Sequence, residues 1–253
     1  MKGEKEYHIA LGEGDVGRYV LLPGDPKRTE KIAGYFDNAR EVAFNREFRT
    51  FTGTIDGIKV SATSTGIGCP SAAICVEELI RCGADTFIRV GTAGGLQPHI
   101  KIGDLVITTA SVRDEGTTVQ YVPIQYPAVA DYRVCSALKE AAQKLGFPHH
   151  IGIGHTKDAF YTEGSEDIPL LEENRLKWKV WERANVLATA MEASALYVIS
   201  SIRRVRAGEV LAVIGLTYKD EPIVSKKGVE EAIKTALEAV KILAAKEGKN
   251  EKK

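Results

Sequence analysis

Arg89 lies inside an apolar run, Phe87-Ile88-Arg89-Val90, that otherwise reads as a strand buried on both faces of a parallel sheet. A guanidinium in such a place must meet an anion, either a structural carboxylate of the chain or a bound ligand. Gly91, Gly94 and Gly95 follow at once. They let the backbone come close to a ligand just past the carboxyl end of the strand, where open α/β sheets place their sites. A second cationic signal stands earlier, in Gly24-Asp25-Pro26-Lys27-Arg28. Asp25 fits an N-cap and Pro26 the first helical position, so Lys27 and Arg28 fall in the first turn, against the helix dipole. An anion bound at that N-terminus would reconcile them, and so would two solvated charges on an exposed turn. Glu192 begins an otherwise apolar helix where the strand 185–189 ends. It is either a dipole-friendly carboxylate or a third group on the ligand edge.

Positioning these groups requires alternating strands and helices with short connections, the pattern of an α/β fold. Strands are expected at 18–22, 41–54, 58–65, 85–90, 103–109, 150–155, 185–189 and 209–217. Helices are expected from Pro26, over 71–82, 132–145 and 168–183, from Met191, and over 226–246. Residues 111–131 read as a long irregular segment, of the kind that is functional or interfacial. Gly66-Ile67-Gly68 opens a second glycine-rich turn, but it spells GxGxxS and lacks the acidic residue of a dinucleotide site about 20 positions on. One three-layer α/β/α domain around a mixed central sheet is expected over 1–253, with 248–253 a frayed tail.

Lysine plus arginine equals aspartate plus glutamate at 34 each, so no global field recruits nucleic acid or an anionic membrane. Cys69, Cys75, Cys82 and Cys135 form no CxxC pair and no zinc spacing, and are expected to be reduced core thiols. No run reaches the roughly 18 apolar residues of a membrane span, and Met1 to Tyr7 lacks a signal-peptide core, so a cytoplasmic protein is expected.

Several of these pieces, taken together, carry a specific resemblance: Gly24-Asp-Pro-Lys-Arg28, Asn45-Arg-Glu-Phe48, Ser64-Thr-Gly-Ile-Gly-Cys-Pro-Ser71, Ile88-Arg-Val-Gly-Thr92, Gln97-Pro-His99 and Met191-Glu-Ala-Ser-Ala195. The chain resembles, nearly end to end, the hexameric nucleoside phosphorylase family of uridine and bacterial-type purine nucleoside phosphorylases. Ala110-Ser-Val-Arg113, Tyr126-Pro-Ala-Val-Ala-Asp131 and Arg206-Ala-Gly208 are similar to the uridine branch. The resemblance implies a phosphate site of Gly24, Arg28, Arg89 and Thr92, with Arg46 lent by a neighbouring subunit. It implies a ribose site of Thr92, Met191 and Glu192, with His8 crossing the same interface. It puts Ala93, Gly94, Phe160 and Gly164 beside the base. Catalysis would rest on Arg28, Arg89 and Glu192, with phosphate as co-substrate, no metal or organic cofactor, and a hexamer of dimers with shared sites.

The chain departs from the family at the base. The Gln and Arg with which uridine phosphorylases read uracil are replaced in Thr162-Glu-Gly-Ser-Glu166, and a further family arginine aligns with Thr217. Gly215 to Tyr218 do not supply the Ser-Asp pair of purine-cleaving members, and Ala190 replaces an acidic residue that often precedes Met-Glu. Lys157, Lys219, Gln120 and Glu163 remain candidates for reading the base. Uridine cleavage is expected, with other nucleosides within about two orders of magnitude, because shape and stacking alone discriminate weakly. A purine or broad-specificity phosphorylase is the alternative, and a silent nucleoside binder a more distant one.

Overall fold

The computed structural model describes residues 5–162, 167–217 and 225–250. In chain order its elements are β1 (Tyr19–Leu22), α1 (Pro26–Ala33), β2 (Asp37–Asn45), β3 (Phe48–Ile55), β4 (Ile58–Thr63), α2 (Cys69–Arg81), β5 (Thr86–Gly95) and β6 (Leu105–Asp114). There follow β7 (Ala128–Val129), α3 (Tyr132–Leu145), β8 (His149–Lys157), α4 (Leu171–Arg183), β9 (Ala188–Ala190), α5 (Ala193–Arg203), β10 (Arg206–Leu216) and α6 (Val229–Asn250). Every residue of β1 is buried, and the alternation of side chains divides them between two layers. Tyr19 and Leu21 join the core beneath α1, α3 and α6, while Val20 and Leu22 join the core beneath α2 and α5. These are the outer layers of the expected three-layer arrangement around a mixed sheet.

The strands follow the order β10-β6-β8-β9-β5-β1-β4-β3-β2, and β10 also pairs with β5. The segment β5-β10-β6-β8-β9 therefore closes on itself. Leu211 and Val213 of β10 pack with Ala93 of β5 and Val106 of β6 in a separate small core. By the two-residue period, Arg89 and Glu209 stand on the same side of their strands as this core. β5 and β10 run parallel with Glu209 beside Arg89 in register. Closure thus brings a carboxylate of the last strand against the buried arginine.

Several boundaries differ from the sequence reading. β5 does not stop at its glycines: pairing of Gly94 and Gly95 with Thr189 and Ala188 of β9 carries it to Gly95. Residues 111–114 belong to β6, and the rest of the long segment is organised by Arg113, which donates to the carbonyls of Val122, Pro123, Ile124 and Tyr126 and to Thr118 Oγ1. β2 and β3 form a hairpin whose strands close on the Asn45–Phe48 pair, so Arg46 and Glu47 are turn residues rather than the lead into a strand. α4 starts at Leu171, not at 168, and α6 runs through 248–250, which were expected to fray. Asp25 and Asp131 cap α1 and α3 as their side-chain oxygens accept from N–H groups of the first turns. The four cysteines are free, three of them buried.

Gly91 shows how closely the fold is fitted around Arg89. A Cβ there would lie 1.8 Å from Arg89 Nη1 and 2.6 Å from Leu211 Cδ2. Gly91→Ala is therefore expected to displace the guanidinium, to lower unfolding stability by about 1–3 kcal/mol as overpacking does, and to reduce activity. Urea denaturation of the variant beside the parent measures the first effect.

Candidate active site

A cavity of about 1110 Å³ opens at the carboxyl ends of β1, β5 and β10 and the start of α5. Gly24, Arg28, Arg89, Thr92, Met191 and Glu192 all contribute to its wall. The phosphate and ribose residues expected from one chain are thus brought together.

Arg89 is 5% exposed and meets two carboxylates. Nη1 donates to Glu209 Oε1 at 3.1 Å and Nη2 donates to Glu192 Oε2, while Nε has no partner. The structural-carboxylate reading of this arginine holds, and one of its two carboxylates, Glu192, belongs to the cavity wall. Burial works against its charge, but Glu192 and Glu209 outweigh it and hold its pKa above the usual value. For Glu209 burial is the larger effect and pushes its pKa up despite Arg89 and Thr108. Its second oxygen accepts from Thr108 Oγ1 at 2.9 Å, and Thr108 in turn meets the Tyr197 hydroxyl.

Glu192 is the N-cap residue of α5, not a first-turn residue, and its side chain makes no capping bond. It reaches instead to the Gly68 N–H, 3.0 Å from Oε1, and to Arg89. The second glycine-rich turn therefore cradles a carboxylate rather than a dinucleotide. Gly68 has φ +89, a region that disfavours side chains, and its N–H is turned toward Glu192.

The two first-turn cations of α1 separate. Lys27 is exposed, whereas Arg28 turns inward and donates to the Val90 carbonyl at 3.2 Å. Burial, and then the repulsion of Arg89, push the Arg28 pKa down, with Asp25 and Glu192 opposing. Two guanidiniums thus stand close enough to repel, on a wall that also carries the exposed side of Gly24.

Ala93, Gly94 and Phe160 lie on the same cavity with Lys157, Thr189 and Thr217. Gly164, Glu163 and Lys219 lie outside the described residues. Gln120 is remote: its Nε2 donates to the Gly116 carbonyl on the surface. His8 and Arg46 do not line this chain's own cavity. They share a surface, with Arg46 5.7 Å above the Tyr7 ring and Asn45 Nδ2 donating to the His8 carbonyl at 2.7 Å. This terminal segment is pinned by buried Glu78, which accepts from the N–H groups of His8 and Ile9 and meets His8 Nδ1 at 2.6 Å. Gln97, part of a motif that carried the resemblance, is structural: its Nε2 donates to the carbonyls of Glu182 and Val186.

Glu209 and Glu78 were missed by sequence reasoning. The available signal was the same as for Arg89, a charge inside or against an apolar run, but pairing Glu209 with Arg89 requires the register of β5 with β10. Among the described residues no group of three or more His, Cys, Asp or Glu side chains is placed to hold a metal ion. None of the described helices is long and apolar enough to cross a membrane.

Two guanidiniums and a buried carboxylate on the carboxyl edge of a mixed sheet give this cavity both donors for an anion and an acceptor for hydroxyl groups. The chain belongs to the phosphorylase superfamily, whose family model matches residues 18–246. It is 49% identical over 242 residues to a uridine phosphorylase of Treponema pallidum, covering 94% of each chain. It is 51% identical over 244 residues to a uridine phosphorylase of Thermococcus kodakarensis, covering 94% of this chain and 87% of that one. A guanosine phosphorylase of Halorubrum lacusprofundi is 39% identical over 249 residues, covering 94% of this chain and 99% of the other.

Removing Arg89 leaves two buried carboxylates facing each other. Arg89→Ala is expected to cost about 3–5 kcal/mol of folding stability, the usual penalty for breaking a buried ion pair from one side. Chemical denaturation of Arg89→Ala against Glu209→Gln tests this, with the second variant expected to lose less because Arg89 keeps Glu192 as its counter-ion and the amide oxygen can still accept a hydrogen bond.

Proposed function

We propose that the protein is a nucleoside phosphorylase that cleaves uridine, with inorganic phosphate as co-substrate. The observation that carries this is the convergence of Arg28, Arg89 and Glu192 on one cavity. Phosphate binds at Gly24, Arg28, Arg89 and Thr92, and the ribose lies over Met191 with its hydroxyls toward Glu192 and Thr92. The base stacks on Phe160 beside Ala93 and Gly94. A phosphate oxygen attacks C1′ as the C1′–N1 bond breaks, giving uracil and ribose 1-phosphate. Positive charge gathers on the sugar in the transition state, where Glu192 and the phosphate stabilise it. The arginines align the nucleophile and spread its charge, so no metal or organic cofactor takes part.

Uridine is favoured because the relatives near 50% identity are named uridine phosphorylases. Guanosine, the substrate named for a more distant relative, is the second reading, supported by the missing Gln and Arg of the base pocket. We further place Arg46 and His8 in a neighbour's site, which makes a two-fold dimer the smallest active unit and a hexamer the assembly. Their common surface, with neither residue on the wall of this chain's own cavity, supports that arrangement. Free thiols, three of them buried, fit a reducing, cytoplasmic setting.

Release of base from uridine is expected to require phosphate; equal rates in phosphate-free buffer would rule phosphorolysis out. Arg28→Ala should raise the KM for phosphate and reduce kcat/KM by about 2–3 kcal/mol, the loss of a charge-assisted contact. Mixing inactive Arg46→Ala with inactive Glu192→Ala should restore activity, since each hybrid dimer holds one intact site. Verified subunit exchange with no recovery would remove the shared-site arrangement.

A further inference from the structure

Lys157 ends β8 and lines the cavity beside Phe160, yet only 6% of it is exposed. Lysine is among the residues least often buried. Nζ lies 5.3 Å from the ring centroids of both Phe160 and Trp178, and 3.5 Å from the Phe160 carbonyl oxygen. The aromatic faces offset part of the cost of holding an ammonium there. Two other described cations, Arg28 and Arg89, line the same cavity. Both belong to the β1 and β5 side of the cavity, whereas Lys157 stands on the β8 side with the aromatic ring.

Resting on the nucleoside reading given above, we propose that Lys157 selects the base, its ammonium donating to a carbonyl oxygen of a pyrimidine stacked on Phe160. When the C1′–N1 bond breaks, its electron pair stays with N1 and spreads onto the ring carbonyl oxygens. An ammonium beside one of these oxygens stabilises the departing anion, which takes its proton from solvent on release. Adenine has no carbonyl oxygen and gains nothing from the same group. A single charge-assisted contact of this kind replaces the absent Gln and Arg and gives a preference, not an exclusion.

Burial lowers the Lys157 pKa to about 8. The ammonium is therefore present below pH 8 and lost as the pH rises through that value. His155, on the same strand, has its pKa pushed down by burial despite Asp114, and Asp114 of β6, held between His155 and Lys177 of α4, stays near 2.

The test compares kcat/KM for uridine and adenosine, at saturating phosphate and as a function of pH, in the parent, Lys157→Met and Lys157→Arg. The parent is expected to prefer uridine and to lose that preference as pH rises through about 8. Lys157→Met should lose roughly 10- to 150-fold on uridine, the worth of a hydrogen bond to a charged group, with adenosine changed less than about threefold and the limb near pH 8 absent. Lys157→Arg should keep more of the uridine preference and move the limb upward, because a guanidinium stays charged. Equal losses on both nucleosides, or an unmoved uridine limb in Lys157→Met, would overturn the proposal. A parent without phosphate-dependent uridine cleavage would overturn the functional reading and this proposal with it.

Discussion

One buried cation, Arg89, sets the terms for the centre of the molecule. An ion of that size cannot be taken out of water without compensation, and the fold supplies it from two directions. Glu209 arrives along the neighbouring strand, fixed by parallel register, and Glu192 arrives from the turn that starts α5. Room for the guanidinium comes from the missing side chain of Gly91. The closed β5-β10-β6-β8-β9 arrangement, the start of α5 and the glycine-rich turn at Gly68 therefore answer to a single charge.

Electrostatics then distinguishes the two arginines. Arg89 sits among carboxylates and is over-compensated, while Arg28 feels burial and the repulsion of Arg89 and is held with less compensation. An anion between them would relieve that repulsion without rearranging either group. This is the sense in which the proposed phosphate site is preorganised: its donors are fixed by Val90, Glu192 and Glu209 before any ligand contributes.

Local signals were legible in the sequence, and long-range partners were not. Asp25 announced its helix because capping involves neighbours two or three residues away, and α3 falls on residues 132–145 as read. Part of the cavity wall was also legible, because Arg28, Arg89 and Glu192 are charges in unusual places, whereas Thr92 and Met191 were named only by the family resemblance. The continuation of β5 through Gly94 and Gly95 was hidden, since its support is backbone pairing with β9 almost a hundred residues on. Residues 111–131 looked structureless for a similar reason: one side chain, Arg113, ties their carbonyls together, and no periodicity records that. The acid facing Arg89 was visible as an oddity in an apolar run, but only register identifies which oddities belong together.

Arg46 occupies a backbone position with φ 53 at the tip of the β2–β3 hairpin. The left-handed region costs a residue with a side chain roughly 1–2 kcal/mol, and glycine or asparagine would sit there more comfortably. A selection for backbone comfort alone would therefore tend to exchange this arginine, at the cost of its contact with the Tyr7 ring. What such a selection would discard is a cation held out from the chain toward whatever packs against the hairpin. On the shared-site arrangement proposed above, one polypeptide tolerates strain for a benefit that is collected next door.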